Sequence, residues 1–411
     1  MKTITAAGFV VLLFHALPCL AVQFEATGHA AFDWREYYQS AQFDQRSVSQ
    51  ANHQLSLFAE PEFIWSLNNA EHTFIFKAFV RLDSADDERS HQDIRALYWL
   101  TYGDNWEVQI GIAKKYWGVA ESQHLVDIIN QTDLVESPGG EHKLGQPMVA
   151  YTLIHDWGTL ESFILPWFRE RTFSGTDGRL RTGLAIDTDR AQYQHDREYR
   201  HVDYALRWSH SIGLVDAGLS WFRGTSREPL LVPQVTDIAT EQFSSISLVP
   251  FYPLIEQTGL DLQATLGATL LKLEVIRRYF DAPLHQDYVA ATGGFEYTFY
   301  SPLKTSWDVG ALGEYLYDSR EDPSLAIGQN DLFLGTRIAF NNEASTDVLA
   351  GVTQDLNDAG SRVLVVEIST RLSANIKLNF DAWVFAARDS ENIIYQLHRD
   401  DFVQTRISYY F

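Results

Sequence analysis

The sequence predicts an all-β protein: a single transmembrane up-and-down antiparallel β-barrel of about 18 strands, with 16 as the other count, preceded by a cleaved signal peptide. Three observations predict it. The last residues alternate to the final atom, with Phe411, Tyr409, Ile407, Thr405 and Val403 on one face and Tyr410, Ser408, Arg406 and Gln404 on the other, the period-2 pattern of a half-apolar strand. The first residues place Lys2 before an apolar run from Ala6 to Leu17 and then Cys19-Leu20-Ala21, which reads as a secretory signal with cleavage after Ala21. Between these ends, alternating segments recur, and the connections between them are by turns short and long.

The N-terminal run is shorter than the roughly 20 residues that cross a bilayer as a helix. Pro18 stands where a lipoprotein acceptor site wants Gly or Ala, and Cys19 is the chain's single cysteine, so residues 22–411 have no thiol chemistry. No later stretch offers 18 consecutive apolar residues, which excludes helical spans. Aromatic residues are nevertheless plentiful, with 11 Trp, 19 Tyr and 25 Phe; a membrane barrel hides its apolar residues in alternation. The formal charge of −22 argues against a nucleic-acid partner.

In chain order the alternation places strands at 24–34, 53–67, 72–82, 92–102, 105–114, 147–155, 159–169, 201–209, 214–223, 257–266, 270–280, 287–299, 303–317, 331–340, 345–354, 362–372, 375–387 and 401–411. The segment 376–387 is the clearest: Ile376, Leu378, Phe380, Ala382 and Val384 share a face opposite Lys377, Asn379 and Asp381. Connections such as Gly103-Asp104, Asp156–Gly158, Ser301-Pro302 and Ser373-Ala374 are short. Those at 35–52, 83–91, 115–146, 170–200, 224–256, 318–330 and 388–400 are longer, the pattern of turns at one end and loops at the other. The stretch Gln242–Tyr252 also alternates weakly, but counting it would break the pattern, and Pro229, Pro233, Pro250 and Pro253 favour a loop over a ladder. There is no repeat and no linker, so residues 22–411 form one domain.

With the apolar face toward lipid and the polar face toward the lumen, the interior collects Arg81, Arg95, Arg207, Lys272, Glu274, Arg278, Glu296, Glu314, Arg337, Glu367, Arg371, Lys377, Asp381 and Arg406. Cross-strand pairing is the plain role for these groups, and a transverse field acting on a solute is the functional one. Aromatic residues at strand ends, such as Trp106, Trp157, Tyr297 and Tyr409, form interface girdles. The run Asp355–Gly360 fails as a calcium loop, since Ala359 and Val366 occupy ligand positions. No metal site, cofactor or catalytic residue is assigned: the thirteen His are scattered, and no Ser-His-acid set has spacing that places it.

The connection at about 115–146 stands apart. Its middle carries Val119, Leu125, Val126, Ile128 and Ile129, which would not be left in water, so the loop either packs on other loops or folds into the barrel; its position after the fifth strand resembles that of the loop that porins fold inward, which implies infolding. Lys115, Trp117, Asp127, Asn130 and Asp133 are its candidate constriction or ligand-contact residues.

The terminal strand ending in Phe411 resembles the closing strand of Gram-negative outer-membrane β-barrels. That resemblance implies recognition by the barrel-assembly machinery, a setting of outer-membrane lipid and lipopolysaccharide, and periplasmic termini. Gly111 with Tyr116-Trp117-Gly118, then Asp127, Asn130 and Asp133, together with Gly259-Leu260-Asp261, Gly294-Phe295-Glu296-Tyr297 and Asn330-Asp331-Leu332-Phe333, resembles poorly characterised proteobacterial porin-like barrels over most of residues 22–411. The function implied is an outer-membrane channel for small hydrophilic solutes, narrowed by loop 115–146, with a homo-oligomer as the porin precedent. The alternative is a transporter or exporter component for a hydrophobic or lipidic substrate. An outer-membrane enzyme is the weakest reading.

Overall fold

The computed structural model describes residues 22–43, 50–68, 70–235, 246–281, 286–320 and 328–411; the expected signal peptide at 1–21 lies outside them. The strands in chain order are β1 (Val22–Tyr37), β2 (His53–Leu67), β3 (His72–Asp83), β4 (Gln92–Tyr102), β5 (Trp106–Ala113), β6 (Gln146–His155), β7 (Gly158–Leu165), β8 (Gln192–Tyr193), β9 (Asp203–Ile212), β10 (Val215–Thr225), β11 (Leu230–Val235) and β12 (Ile246–Tyr252). They continue with β13 (Leu254–Leu266), β14 (Thr269–Phe280), β15 (Tyr288–Tyr300), β16 (Asp308–Asp318), β17 (Asn330–Ala339), β18 (Asp347–Asp355), β19 (Arg362–Arg371), β20 (Ile376–Ala386) and β21 (Phe402–Tyr410).

Eighteen of these form one antiparallel sheet that closes where β21 pairs with β1. Each predicted strand corresponds to one of the eighteen. The remaining three, β8, β11 and β12, make a small separate sheet in the long loops. The ambiguous stretch before Tyr252 is thus a strand over Ile246–Tyr252, pairing with β11 and β8 rather than with the wall. Its alternation satisfies a local ladder, which periodicity alone does not distinguish from the main one.

Two boundaries differ from the expectation by four residues or more, the rest by three or fewer. Strand β16 begins at Asp308, because Ser301-Pro302-Leu303-Lys304 form a tight turn with positive φ at Ser301, Leu303 and Lys304; proline also withholds a ladder N–H. Strand β7 ends at Leu165, before Pro166, for the same reason.

Burial follows the pleat. On β1, Phe32 and Trp34 are exposed while Ala31, Asp33 and Arg35 are buried; on β3, Val80 and Leu82 are exposed and Arg81 is buried. On β21, Ile407 and Tyr409 face out, and Gln404 and Ser408 face in. The outward girdle includes Trp106, Trp157, Tyr297, Tyr300 and Tyr315. A surface both apolar and exposed on alternate residues, with a polar interior, is stable only where lipid replaces water outside.

One sector departs from that rule. The inward positions Phe163, Leu165, Ala205, Phe222, Ile255 and Ile276, on β7, β9, β10, β13 and β14, are apolar and buried. The lumen is therefore not polar all round. Its apolar sector is covered by the long connection between β5 and β6.

Candidate functional site

That connection, 114–145, lies inside the barrel. Trp117, Val126, Ile128 and Ile129 form one cluster with Phe163, Ala205, Phe222, Ile255 and Ile276, each large side chain contributing about 1.5–3 kcal/mol by leaving water. The Trp117 ring meets Phe163 edge-on at 5.7 Å, with the Arg207 guanidinium 5.4 Å from its centroid. The apolar middle of the loop is thus the reason the facing wall is apolar.

The neck of the loop is stitched by Asn130. Its Oδ1 accepts from the Lys115 N–H at 2.8 Å, and its Nδ2 donates to the carbonyls of Ala113 at 2.9 Å and Leu144 at 2.8 Å. Asp127 accepts from the Trp117 N–H at 3.4 Å and pairs with Lys143 at 3.2 Å. Asp133 accepts from Arg95 at 2.6 Å, from Thr172 at 2.9 Å and from His91 at 3.2 Å. Trp117, Asp127, Asn130 and Asp133 are therefore buried and engaged in holding the loop, while the Lys115 side chain is half-buried with no ion pair among the described residues.

Two glutamates of the wall clasp the loop by its backbone. Glu274 on β14, fully buried, accepts from the N–H groups of Val119 at 2.7 Å, Ala120 at 2.9 Å and Val126 at 3.2 Å. Glu314 on β16 accepts from the N–H groups of Glu121 and Ser122, both at 2.8 Å, and from the Ser122 hydroxyl at 2.6 Å. These backbone donors belong to no ladder, and carboxylates satisfy them with bonds worth about 1.5–3 kcal/mol each. Gly118 fits the same clasp. Its φ is +136°, and a Cβ there would stand 2.8 Å from Glu274 Oε1.

Other lumenal charges are mostly paired. Arg81 bonds Asp33 at 2.8 Å and Glu136 of the loop at 2.6 Å, and Arg406 also reaches Asp33 at 2.7 Å. Arg95 pairs with Asp93 at 3.0 Å, and Arg207 with Asp261 at 2.6 Å. Arg278 reaches Gln257 at 2.7 Å and Glu228 at 3.1 Å. Arg337 meets Glu121 of the loop at 2.7 Å, and Lys272 lies 3.7 Å from Glu296. His91, Asp133 and Glu136 bring donor atoms within 4.8 Å of one another, but Arg95 and Arg81 already neutralise the two carboxylates, so the group is an ion-pair cluster.

The opposite sector, β19 to β21 and β1, is different. Its register sets inward side chains in rows: Glu367 opposite Asp381, Asp381 opposite Gln404, and Gln404 opposite Arg35. A second row runs Asn379, Arg406, Asp33, and Trp383 stands opposite Phe402 in a third. Between this wall and the loop tip at Glu136–His142 is a cavity of about 130 Å³. The Glu367 side chain makes no hydrogen bond or ion pair among the described residues, nor do the side chains of Glu141, Asn379, Arg371 and Lys377. Glu136, Glu141, Asp33, Asp93 and Trp383 are not singled out by the sequence, and Asn379 only as a polar-face position of its strand. The signal for Asp33, Asp93 and Trp383 was parity, since each sits at an inward strand position.

The long-loop end is bridged by the connection 166–202. Its Arg179 donates to Asp400 at 2.7 Å, to the Arg399 carbonyl at 2.7 Å and to Asn52 at 3.0 Å, and stacks 4.4 Å over Tyr37. Nearby, Asp86 in the β3–β4 loop accepts from the Gly175 N–H at 3.1 Å and the Glu88 N–H at 3.0 Å. Burial, with Asp177 adding to it, pushes its carboxyl up to about 6.

Among solved structures, the chain is similar to Wzi of Escherichia coli, described as an outer-membrane protein involved in group 1 capsule assembly and a carbohydrate-binding β-barrel. The match has 10% identity and covers 92% of this chain and 83% of that one, with a TM-score of 0.52. The fold is that of a porin-like outer-membrane β-barrel. Porin-like barrels also matched are OmpT, an outer-membrane protein of Vibrio cholerae in trimer form (9% identity, 95% of this chain, 100% of that chain, TM-score 0.46) and a mutant of the Rh. blastica porin (14% identity, 95% and 100%, TM-score 0.44). No family model matches the sequence, and no curated protein does.

Proposed function

We propose that this outer-membrane barrel is a channel for small hydrophilic solutes, narrowed by the loop 114–145 to the polar sector along β19–β21 and β1. The observation that carries the reading is the asymmetry of the lumen. The loop seals the apolar sector with Trp117, Val126 and Ile129, all buried. It leaves Glu367, Asp381, Asn379 and Lys377 in a half-exposed, wettable wall. A wall of eighteen strands encloses more space than side chains fill, and unpaired polar groups are retained where water meets them.

In this reading Trp117, Asp127, Asn130 and Asp133 fix the constriction, while the rim of the path is made by Glu141, Glu367 and Asp381. The turns and both termini face the periplasm and the long loops face outward, in lipopolysaccharide. The barrel-assembly machinery reads the strand that ends in Phe411. A homo-oligomer is consistent with the porin precedent.

Single-channel recording in planar bilayers tests the proposal. Wild type is expected to give small, stable steps, and removal of 116–142 to enlarge them several-fold. E274Q/E314Q, which keeps the loop but weakens its clasp, is expected to add open-channel noise. Absence of current from all three folded proteins would sink the channel.

A further inference from the structure

The cavity between the loop tip and the β19–β21 wall has a lining more specific than a water path needs. Trp383 offers a flat ring on the inward face of β20, and the neighbouring row offers acceptors and donors side by side. The acceptors are Glu367, Asp381 and Glu141. Glu141 and Glu367 carry no internal hydrogen bond among the described residues, and Asp381 only a 3.5 Å contact from Gln404. The donors are Asn379, whose amide is uncommitted, and Arg35, whose Nε donates to Gln404 at 2.9 Å while its Nη2 has no partner among the described residues. Glu141, Asp381, Glu121 and, with opposite sign, Arg337 lie within Coulombic reach of Glu367.

We propose that this cavity is a binding subsite for one neutral sugar ring, the solute class of the channel proposed above, on which this inference rests. The chemistry selects among guests. A pyranose presents an apolar C–H face, which an aromatic ring covers, and vicinal hydroxyls that each donate and accept, which requires mixed partners at close spacing. An anionic solute would meet three carboxylates against the guanidinium groups of Arg35 and Arg406, and Arg406 is already held by Asp33. A simple cation would use the carboxylates but leave Arg35, Asn379 and the Trp383 face without a role. About 130 Å³ is small beside the roughly 300–1,000 Å³ of pockets for drug-sized ligands, so the guest is a single ring and not a chain.

The test combines current block with equilibrium binding on the full-length folded barrel, using D-glucose, D-glucosamine and D-glucuronate as probes. Glucose is expected to reduce the potassium current with half-effect in the millimolar range. W383A is expected to raise that concentration about tenfold, W383F to recover most of it, and E367Q/D381N to weaken binding in the same direction. Each variant is checked for folding by its heat-modifiable mobility on gels. If current flows but glucose up to about 100 mM leaves it unchanged, or if W383A behaves as wild type, the subsite is overturned while the channel stands. Glucuronate binding as well as glucose, or glucosamine alone binding, overturns the proposed chemistry. If no current flows but glucose binding is seen by saturation-transfer NMR and is lost in W383A, the channel fails and the subsite survives.

Discussion

Glu274 shows what a lumenal charge can do besides pairing with another. Its two oxygens serve three backbone N–H groups of the loop, in a place where no cation among the described residues neutralises it by contact. Replacing it with Ala would strand those donors in a dry site, at about 1–3 kcal/mol each. E274A is therefore expected to lower the thermal midpoint of the detergent-solubilised barrel and to make the segment 117–126 exchange its amide hydrogens faster, with the barrel strands unchanged. Equal protection of that segment in both proteins would refute the clasp. G118A is expected to act in the same direction, since its Cβ would crowd Glu274 Oε1. The sequence showed that Glu274 points inward, because Leu273 and Val275 flank it in alternation. It did not show that its partner is backbone, because an N–H group leaves no mark on residue type. For the same reason nothing in the sequence sets Trp383 apart from an ordinary wall residue: parity places a side chain on a face but not beside a cavity.

At the scale of elements, the eighteen wall strands were legible because each must present an apolar stripe to lipid, which writes a period of two into every one of them. The inner face is not under that constraint. Where the loop 114–145 docks, Phe222, Ile255 and Ile276 turn the interior apolar, so polar-inside reasoning fails over that sector. The loop's own apolar centre was the clue that some wall had to receive it. The outer connections also carry a titration. Asp86, held at about 6 by burial, has its folded value above the roughly 3.9 of an unfolded chain. The folded state therefore binds the proton more tightly, and packing of 84–91 on 174–178 weakens as pH rises from about 4 through about 6. Amides of 174–178 should be better protected at pH 5 than at pH 8, and D86N should remove the difference while keeping the Gly175 bond. A protection ratio unchanged in D86N would assign the effect to another group.

For the whole molecule, closure depends on the last residue. The Phe411 N–H donates to Gly28 O at 3.1 Å, and the Gly28 N–H to Phe411 O at 3.2 Å, the final rungs between β21 and β1. Deleting Phe411 removes both, about 2 kcal/mol by typical hydrogen-bond values, together with the aromatic end of the outward face. The variant should show markedly less folded, heat-modifiable barrel in isolated outer membranes at equal expression; wild-type yield would contradict this.

The same seam governs the size of the barrel. Strand β1 pairs with β2 from Val22 onward but with the closing strand only from Gly28, opposite Phe411, so the rim is stepped, like one turn of a screw thread. The height of that step is part of the stagger that fixes strand tilt and radius for a given strand number. Gly28 sets where the step ends. Its φ is +151°, and a Cβ there would stand 2.7 Å from Glu60 O and 2.8 Å from Pro61 Cα of the β2 backbone, with the Phe411 ring at 3.2 Å, so there is no room for a side chain. A slip of two residues would keep every face correct yet set that ring beside Ala26 or Ala30 instead. Gly28 thus lets β1 lie against the β2 backbone with the Phe411 ring beside it, a fit that holds the closing strand in one thread position and the barrel at one diameter.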